Sequence, residues 1–395
     1  MIAGEVESAF EPVRRAFQAN FEERGEVGAA VSVYYDGRPV VNLWGGVADA
    51  ATERPWQQDT LQVVFSATKG LTAACFLLLE HRGGVDLDAP VASVWPEIAE
   101  SLGSTSIRTI LNHRGGVCAL DRPYRLEDVV SGRVEALMAK TRPRWAPGSD
   151  QGYHAVTYGI YAASIFKRLT QKSIGTYLRE EIAGPLGADV HIGLPPDQRH
   201  RTSTLIPVPH RTYYRNGIPQ AILGRSNEGR FARAMMRNGD TRHAFGELPD
   251  IGKDHLIRLN DYEVQRHEMP WVGAMCTAEG LARVYAAWAQ GGQLGKVKLV
   301  DQSAIEPLVR RQSWSDMDRV LRKPIGWSQG FLKEETNLFS PNKEAFGHAG
   351  AGGALGWADP VAKISIGYTP NRMDWRIRSP RALALCKAVY ESLGQ

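Results

Sequence analysis

A serine and a lysine stand three residues apart at the start of an apolar segment with helical character. Ser66 and Lys69 belong to the run VVFSATKGLTAA, and their spacing places both side chains on one helix face. A serine hydroxyl needs a base to become a nucleophile, and a lysine dehydrated by apolar neighbours can have its pKa lowered enough to serve. The Ser66 backbone N–H at the helix start can also donate to an oxyanion. The pair predicts acyl transfer through Ser66, although Ser-x-x-Lys alone is a common tetrapeptide.

A tyrosine follows a Pro-Gly turn and precedes a second helical segment. Tyr153 would be held rigidly in this position, and an ammonium such as that of Lys69 would make its proton easier to lose. These features favour Tyr153 as base in acylation and as acid towards the leaving group. A core tyrosine with a hydrogen-bonded hydroxyl is an equal alternative on this motif alone, and Tyr158 competes for the role.

A third candidate region is a histidine followed by a glycine-rich run, FGHAGAGG, at 346–353. Glycine allows a substrate to approach the backbone closely. His348 could bind a substrate oxygen or steady Tyr153, and the backbone N–H of Ala351 would be the second oxyanion donor. Without the other two motifs, this run is more typical of a flexible turn.

The three segments, in this order, resemble the class C β-lactamase and penicillin-binding-protein superfamily, whose signature is S-x-x-K, a Tyr motif and K-T-G or a variant. The stretches at 84–91 and 109–117 are also similar to that family, so the resemblance covers most of the chain. It implies an α+β fold, in which an antiparallel sheet flanked by helices adjoins a mostly helical lobe and the site lies between them.

Carried over by motif, the resemblance implies Ser66 as nucleophile, Lys69 as its partner and Tyr153 as general acid/base. His348 stands where β-lactamases place a lysine, and the asparagine of the Tyr motif is missing. The missing ammonium would normally attract the carboxylate beside a lactam, so neutral esters suit the site better. The pattern thus resembles family VIII carboxylesterases.

We therefore predict a serine hydrolase that cleaves esters of small to medium acyl groups, with a small-molecule ester or amide as its only expected partner. Two alternatives share the same acyl-enzyme and stay open, a β-lactamase or D-amino peptidase-type amide hydrolase and an acyltransferase. A non-catalytic binding protein on the same fold is an alternative of another class.

A competing esterase motif, Gly-x-Ser-x-Gly, surrounds Ser328. Only Glu334, Glu335 and Glu344 lie between it and His348, which is too short for the usual order of acid and histidine, and no convincing helix follows. The ten histidines include no pair with metal-binding spacing, so we expect neither a metal nor a cofactor.

Composition limits the other functional classes. The 395 residues, 43% of them hydrophobic, carry a net charge of only +4, and the basic residues are dispersed, which argues against nucleic acid. The four cysteines form no CxxC pair and are expected to be reduced. We see neither a signal peptide nor an apolar run of membrane-spanning length, so we expect a cytoplasmic protein without a membrane partner. The oligomeric state is not readable.

The positions of the predicted strands indicate a sheet built from both ends of the chain. The runs 29–35 and 39–44 flank an Asp-Gly turn and predict a hairpin. Near the other end, 354–358 and 362–368 have the pattern of strands, and 381–393 that of a closing helix.

Helical patterns occupy 6–24, 68–82, 156–169 and 174–182. We expect the α/β lobe to comprise 1–60 and 262–395, and the helical lobe to comprise 61–261. The part of the helical lobe near 197–260 lacks periodicity, and we interpret it as a long loop or lid. Nine arginines against three acidic residues at 197–245 could face an anionic substrate group, but a solvated surface is favoured.

Overall fold

An antiparallel sheet of ten strands joins the two ends of the chain. The structure is a computed structural model that describes residues 2–248, 250–251, 253–333 and 338–394. The sheet has the order β1-β3-β2-β15-β14-β13-β12-β11-β10, with β4 paired to β3, and β5, β7 and β6 form a smaller sheet. The strands are β1 (Ile2–Val6), β2 (Gly28–Tyr35), β3 (Arg38–Asp49), β4 (Arg54–Pro55), β5 (Gln62–Val63), β6 (Val190–Ile192), β7 (Ala274–Cys276), β8 (Gln293–Leu294), β9 (Val297–Lys298), β10 (Ser313–Ser315), β11 (Ile325–Ser328), β12 (Phe331–Lys333), β13 (Phe346–Ala349), β14 (Leu355–Asp359) and β15 (Ile364–Pro370).

The predicted hairpin near the start of the chain is confirmed as β2 and β3. Asp36 and Gly37 connect the strands with φ of 46° and 75°, the left-handed conformation that a tight two-residue hairpin turn requires. The predicted strands near the other end are β14 and β15, and β15 pairs directly with β2. Both ends of the chain therefore meet in the middle of one sheet, as expected.

Seventeen α-helices lie within the described ranges. They are α1 (Glu11–Glu23), α2 (Thr68–His81), α3 (Ala99–Leu102), α4 (Ile107–Leu111), α5 (Leu126–Val130), α6 (Val134–Lys140), α7 (Thr157–Thr170), α8 (Ile174–Leu178), α9 (Gly184–Leu186), α10 (His210–Thr212), α11 (Ile218–Leu223), α12 (Asn227–Arg237), α13 (Gly239–Gly246), α14 (Tyr262–Gln265), α15 (Ala278–Ala289), α16 (Gln302–Val309) and α17 (Pro380–Ser392). None of the helices in the described ranges is long and apolar enough to cross a bilayer.

Alternating side chains of the sheet bury both of its faces. Val31 and Val33 of β2 share a core with apolar side chains of α1 and α17, whereas Tyr34 packs against α15. Gly367 of β15 lies so close to α15 that a Cβ there would stand 2.1 Å from the Ala278 carbonyl oxygen. The sheet is thus a layer between helices, which confirms the predicted α+β fold class.

Two large clusters of buried apolar side chains meet near Ser66. One cluster gathers α2, α4, α7 and α15, and the other gathers the sheet with α1 and α17. Phe65 belongs to the first cluster and Tyr153 to the second. The residue boundaries of the two lobes stay a prediction. All four cysteines are buried and free, as expected.

Two sequence expectations need correction. The predicted helix at 6–24 is shorter, because Val6 ends the edge strand β1 and α1 begins at Glu11. The segment near 197–260 is not a long loop, since it contains α10 to α13. Its helices are short, so little periodicity accumulates in the sequence, and two of them begin at local caps, α12 at Ser226 and α13 at Asn238.

Candidate active site

Ser66 stands on a sharp turn between β5 and α2. Phe65, directly before it, has a φ of 48°, an uncommon left-handed conformation for a bulky residue. A 3-10 turn at 65–67 follows, and α2 begins at Thr68. Ser66 is half-buried, whereas every residue of α2 at 68–79 is buried. The turn therefore presents the serine hydroxyl at the edge of an otherwise apolar helix.

Lys69 is fully buried, and its amine lies among three oxygen atoms. Nζ is 3.3 Å from Ser66 Oγ, 2.8 Å from the carbonyl oxygen of Ala155 and 2.9 Å from that of Trp271. Burial holds the pKa of the Lys69 amine well below its usual value. A neutral amine donates two N–H bonds, which the two carbonyls accept, so its lone pair is left for the Ser66 hydroxyl.

The Tyr153 hydroxyl donates to Ser66 Oγ over 2.9 Å. The competing Tyr158 is directed elsewhere, because its hydroxyl donates to the backbone carbonyl of Lys69. The expected lowering of the Tyr153 pKa is wrong, since burial raises this pKa above its ordinary value, although the Ser66 hydrogen bond acts in the opposite direction. Burial also lowers the pKa of Lys69, which favours its uncharged amine over the ammonium that was expected to lower the Tyr153 pKa. Tyr153 is consequently a neutral phenol.

One ring nitrogen of His348 is a hydrogen-bond acceptor that no described residue uses. This histidine lies in β13, 3% exposed, with Nδ1 2.8 Å from the Ala349 carbonyl oxygen and with the ring centroid 6.3 Å from that of Tyr153. Burial lowers the pKa of His348 well below its usual value. A neutral imidazole that donates from Nδ1 to a carbonyl has a bare Nε2, and this atom is buried without a partner among the described residues.

The glycine-rich run brings Ala351 towards Ser66. After β13, a 3-10 turn at 351–353 packs against the turn at 65–67. Gly350 permits this approach, because a Cβ there would stand 2.2 Å from the Val64 carbonyl oxygen. The structure thereby brings together Ser66, Lys69, Tyr153, His348 and the Ala351 turn, which the sequence had singled out from three distant segments.

Two residues that sequence reasoning missed hold the Tyr153 backbone. His113 is fully buried, its Nδ1 accepts the His154 N–H over 3.0 Å, and its carbonyl accepts the Gly152 N–H over 3.1 Å. Asp318 Oδ1 accepts the Tyr153 N–H itself over 3.0 Å. The available signal for His113 was its place in the family-like stretch at 109–117, but nothing local marked Asp318.

A third missed residue is Arg378, which precedes α17. Its positive charge is near enough to lower the pKa of both Tyr153 and His348, although burial is the largest influence on each of them. The sequence places Arg378 far from all three motifs, so only the folded chain reveals that a cation adjoins the site.

Ser328 does not have the surroundings of a nucleophile. It is fully buried in β11, and its hydroxyl donates to the Pro307 carbonyl over 3.0 Å. Glu334 and Glu335, considered as possible acids for it, lie outside the described residues. In the described part of the chain, no three side chains of histidine, cysteine, aspartate or glutamate converge as metal ligands.

A protein-family model described as Beta-lactamase matches residues 13–387, nearly the whole chain. The chain belongs to the beta-lactamase family. An Esterase/beta-lactamase LipL of Mycobacterium tuberculosis is 32% identical over 378 residues, which cover 94% of this chain and 83% of that protein. This membership confirms the resemblance on which the fold was predicted.

Solved structures of beta-lactamase-family proteins superpose closely on this one. A family VIII carboxylesterase is 33% identical with a TM-score of 0.85, over 99% of this chain and all of that chain. A penicillin-binding protein homologue from Caulobacter crescentus is 31% identical with a TM-score of 0.83, again over 99% and 100% of the two chains. The fold is therefore that of β-lactamases and penicillin-binding proteins, and the chain is a serine hydrolase of this family.

Proposed function

We propose that this protein is a carboxylesterase that forms an acyl-enzyme on Ser66. The observation that carries the proposal is the convergence of Lys69 Nζ and the Tyr153 hydroxyl on Ser66 Oγ, at 3.3 Å and 2.9 Å. The Lys69 amine can accept the serine proton, and the Tyr153 hydroxyl is placed to donate a proton. This is the arrangement that an activated serine nucleophile requires.

Acylation follows from the protonation states of these side chains. The uncharged Lys69 amine accepts the Ser66 proton as Oγ forms a bond to the ester carbonyl carbon. The resulting oxyanion would be held by the backbone N–H groups of Ser66 and Ala351, which the packing of their two turns keeps close. When the C–O bond of the ester breaks, the neutral phenol of Tyr153 gives its proton to the departing alkoxide and recovers one from Lys69.

Deacylation uses the same groups in reverse order. A water molecule attacks the acyl carbon and gives its proton to the Lys69 amine. Ser66 Oγ then takes up a proton and leaves the acyl carbon as a hydroxyl. The bare Nε2 of His348 can accept a hydrogen bond from that water or from a leaving alcohol. His348 cannot donate from Nε2 to a substrate oxygen in this state. The expected binding of a substrate oxygen is therefore limited to oxygens that carry a proton and can donate to Nε2.

The uncharged His348 favours esters over β-lactams as substrates. A lysine at this position would attract the carboxylate beside a lactam, and an imidazole with a pKa far below its usual value does not. A solved relative of 33% identity is described as a family VIII carboxylesterase, which supports the same class. The M. tuberculosis relative is named both esterase and β-lactamase, so cephalosporin turnover belongs in the test.

The test compares wild type with Ser66→Ala on p-nitrophenyl acetate, p-nitrophenyl butyrate and a chromogenic cephalosporin. We expect a burst followed by steady ester turnover in wild type, little cephalosporin cleavage, and loss of both ester phases in Ser66→Ala. Ser328→Ala is the matched control and should keep wild-type turnover, since the Ser328 hydroxyl donates to the backbone carbonyl of Pro307.

Each other result points to a different conclusion. Ester turnover that survives in Ser66→Ala excludes Ser66 as the nucleophile, and dominant cephalosporin turnover identifies a β-lactamase. A burst that is released faster by added alcohol than by water identifies an acyltransferase. No turnover and no acyl-enzyme by mass spectrometry would leave a binding protein on this fold.

A further inference from the structure

The helices α10 to α13, residues 210–246, form a cover whose inner side reaches the active site. The Phe245 ring lies 6.3 Å from that of Tyr153, and the Phe231 ring packs edge-on against Phe245 at 5.2 Å. Asp240 pairs with Arg319 at 3.1 Å and thus ties α13 to the rest of the molecule. We call residues 210–246 the cover helices.

The outer side of the cover helices exposes large apolar side chains. Leu223 is 83% exposed, Ile222 72%, Met236 67% and Ile218 45%. These four are half of the eight large apolar residues that are strongly exposed in the described part of the molecule, although the segment is less than a tenth of the chain. Such a concentration is typical of a surface that meets an apolar partner.

The same segment is rich in arginines. The cover helices contain seven arginines against two acidic residues, and one of those, Asp240, is already paired with the body of the protein. Arg230, Arg233 and Arg237 of α12, together with Arg322, line an open groove of about 370 Å³. Within the described ranges, the guanidinium groups of Arg230 and Arg233 donate to backbone carbonyls and to Asn227 Oδ1, so their charge is not neutralised by a carboxylate.

We propose that the cover helices dock on an anionic phospholipid surface, with the apolar side chains in the acyl boundary and the arginine-lined groove on a phosphate headgroup. Exposed apolar residues and an excess of arginines within one helical segment fit a segment that lies at a membrane interface. A second copy fits less well, because a two-fold contact through this face would bring its arginines against themselves. Nucleic acid would leave Ile222 and Leu223 without a partner. This revises the expectation of no membrane contact.

Docking would place the catalytic serine at the lipid. Because Phe245 connects the cover to Tyr153, a surface-bound molecule presents Ser66 to esters that partition into the membrane. This consequence rests on the proposed esterase function, whereas the docking itself does not.

The experiment is co-sedimentation of the full chain with phosphatidylglycerol vesicles and with phosphatidylcholine vesicles at low salt. We expect binding to the anionic vesicles only, weakened by added salt. Arg225 and Arg237 are exposed arginines of the cover helices. Arg225→Gln/Arg237→Gln should weaken binding about 25-fold, since each basic side chain near an anionic surface contributes about a factor of five. Ile222→Ser/Leu223→Ser should weaken it at least tenfold.

Matched controls remove similar side chains elsewhere, namely Arg15→Gln/Arg38→Gln and Val130→Ser/Val361→Ser, and both should bind like wild type. The rate on soluble p-nitrophenyl acetate should be unchanged in all four variants, and this separate reading distinguishes failure of docking from failure of the esterase function. No vesicle binding, or equal losses in the controls, overturns the proposal. Loss of binding only in the arginine variant indicates a general polyanion site. A dimer that dissociates in both cover variants indicates that a second copy of the chain occupies this surface. Either result also overturns the proposal.

Discussion

At the scale of single residues, the chemistry depends on where protons reside around one serine oxygen. Two backbone carbonyls accept hydrogen bonds from the Lys69 amine, and the Tyr153 hydroxyl donates to Ser66 Oγ. Burial shifts the two pKa values in opposite directions, below the usual value for the lysine and above it for the tyrosine. Both shifts favour the uncharged form of the group, which is the form needed for a base and for an acid at neutral pH.

The first prediction concerns the pH dependence of acylation. The burst rate with p-nitrophenyl butyrate should rise with pH as Lys69 loses its proton, at a pKa well below the 10.5 of an ordinary lysine. Lys69→Met should lower the burst rate about 10²–10⁴-fold, the usual contribution of a general base. The measurement is stopped-flow release of nitrophenol between pH 5 and 9. A Lys69→Arg variant that kept the same rising limb would show that another group is the base.

The second prediction concerns His348. Replacing it with Phe keeps an aromatic ring but removes the Nε2 acceptor, so we expect deacylation to slow about 10–100-fold while the burst persists. His348→Asn, whose side-chain oxygen can still accept, should recover part of the loss. Single-turnover kinetics separates the two steps. If both variants deacylate at the wild-type rate, His348 has only a packing role.

At the scale of elements, hydrogen bonds from two other segments hold the short loop that carries Tyr153. Asp318 accepts backbone N–H bonds from Tyr153, Val320 and Leu321, at 2.8–3.0 Å, and is itself fully buried. His113 holds the peptides on either side of Tyr153, and its ring packs at a tilt against the Tyr153 ring with the centroids 4.8 Å apart. The tyrosine is therefore positioned by one residue from the turn that follows α4 and by one from the β10–β11 connection.

The third prediction tests this support. Asp318→Asn replaces an ionisable acceptor of three N–H bonds by an amide and should cost roughly 2 kcal/mol of unfolding free energy. It should also lower kcat more than it raises KM, because Tyr153 moves while the substrate-binding surface remains. Urea unfolding and ester kinetics provide the two readings. The exposed Asp316→Asn is the control, and an equal effect there would mean that Asp318 has no special role.

At the scale of the whole molecule, the two ends of the chain share a buried ion pair. Glu26 precedes β2 and Arg381 lies in α17, and the guanidinium also donates to the Gly352 carbonyl over 3.1 Å. Tyr368 of β15 donates to the same carboxylate. Burial raises the pKa of Glu26 to about 7, although Arg381 opposes the shift, so the pair is only partly ionised near neutrality.

The fourth prediction follows from that raised pKa. The folded protein keeps the Glu26 proton up to about pH 7, whereas the unfolded chain releases it near 4.5. The unfolding free energy contributed by this group is thus full below pH 4.5 and decreases towards pH 7, by up to about 3 kcal/mol. Urea unfolding of wild type and Glu26→Gln across this range isolates the effect. Parallel pH profiles of the two proteins would contradict it.

Local sequence determined the elements whose signals are short-range. The Asp36-Gly37 turn specified the first hairpin, since left-handed conformations at two successive positions suit few other residues. The three motifs specified Ser66, Lys69, Tyr153 and His348, because spacing on one helix face and beside a turn is a local property. The cover helices escaped detection because they are too short to build up periodicity, and of these helices only α12 and α13 begin at a side-chain cap within the described residues.

Only the tertiary structure decided the properties that depend on surroundings. The direction of the Tyr153 pKa shift was misjudged, because burial is set by distant residues such as Trp327, which stacks on its ring at 5.6 Å. The choice between Tyr153 and Tyr158 depended on which hydroxyl the fold directs at Ser66. Asp318 and Arg378 reach the site from segments more than 150 residues beyond Tyr153, and no local pattern encodes such contacts. Sequence selected the reacting groups, and the packing of distant segments set their proton states.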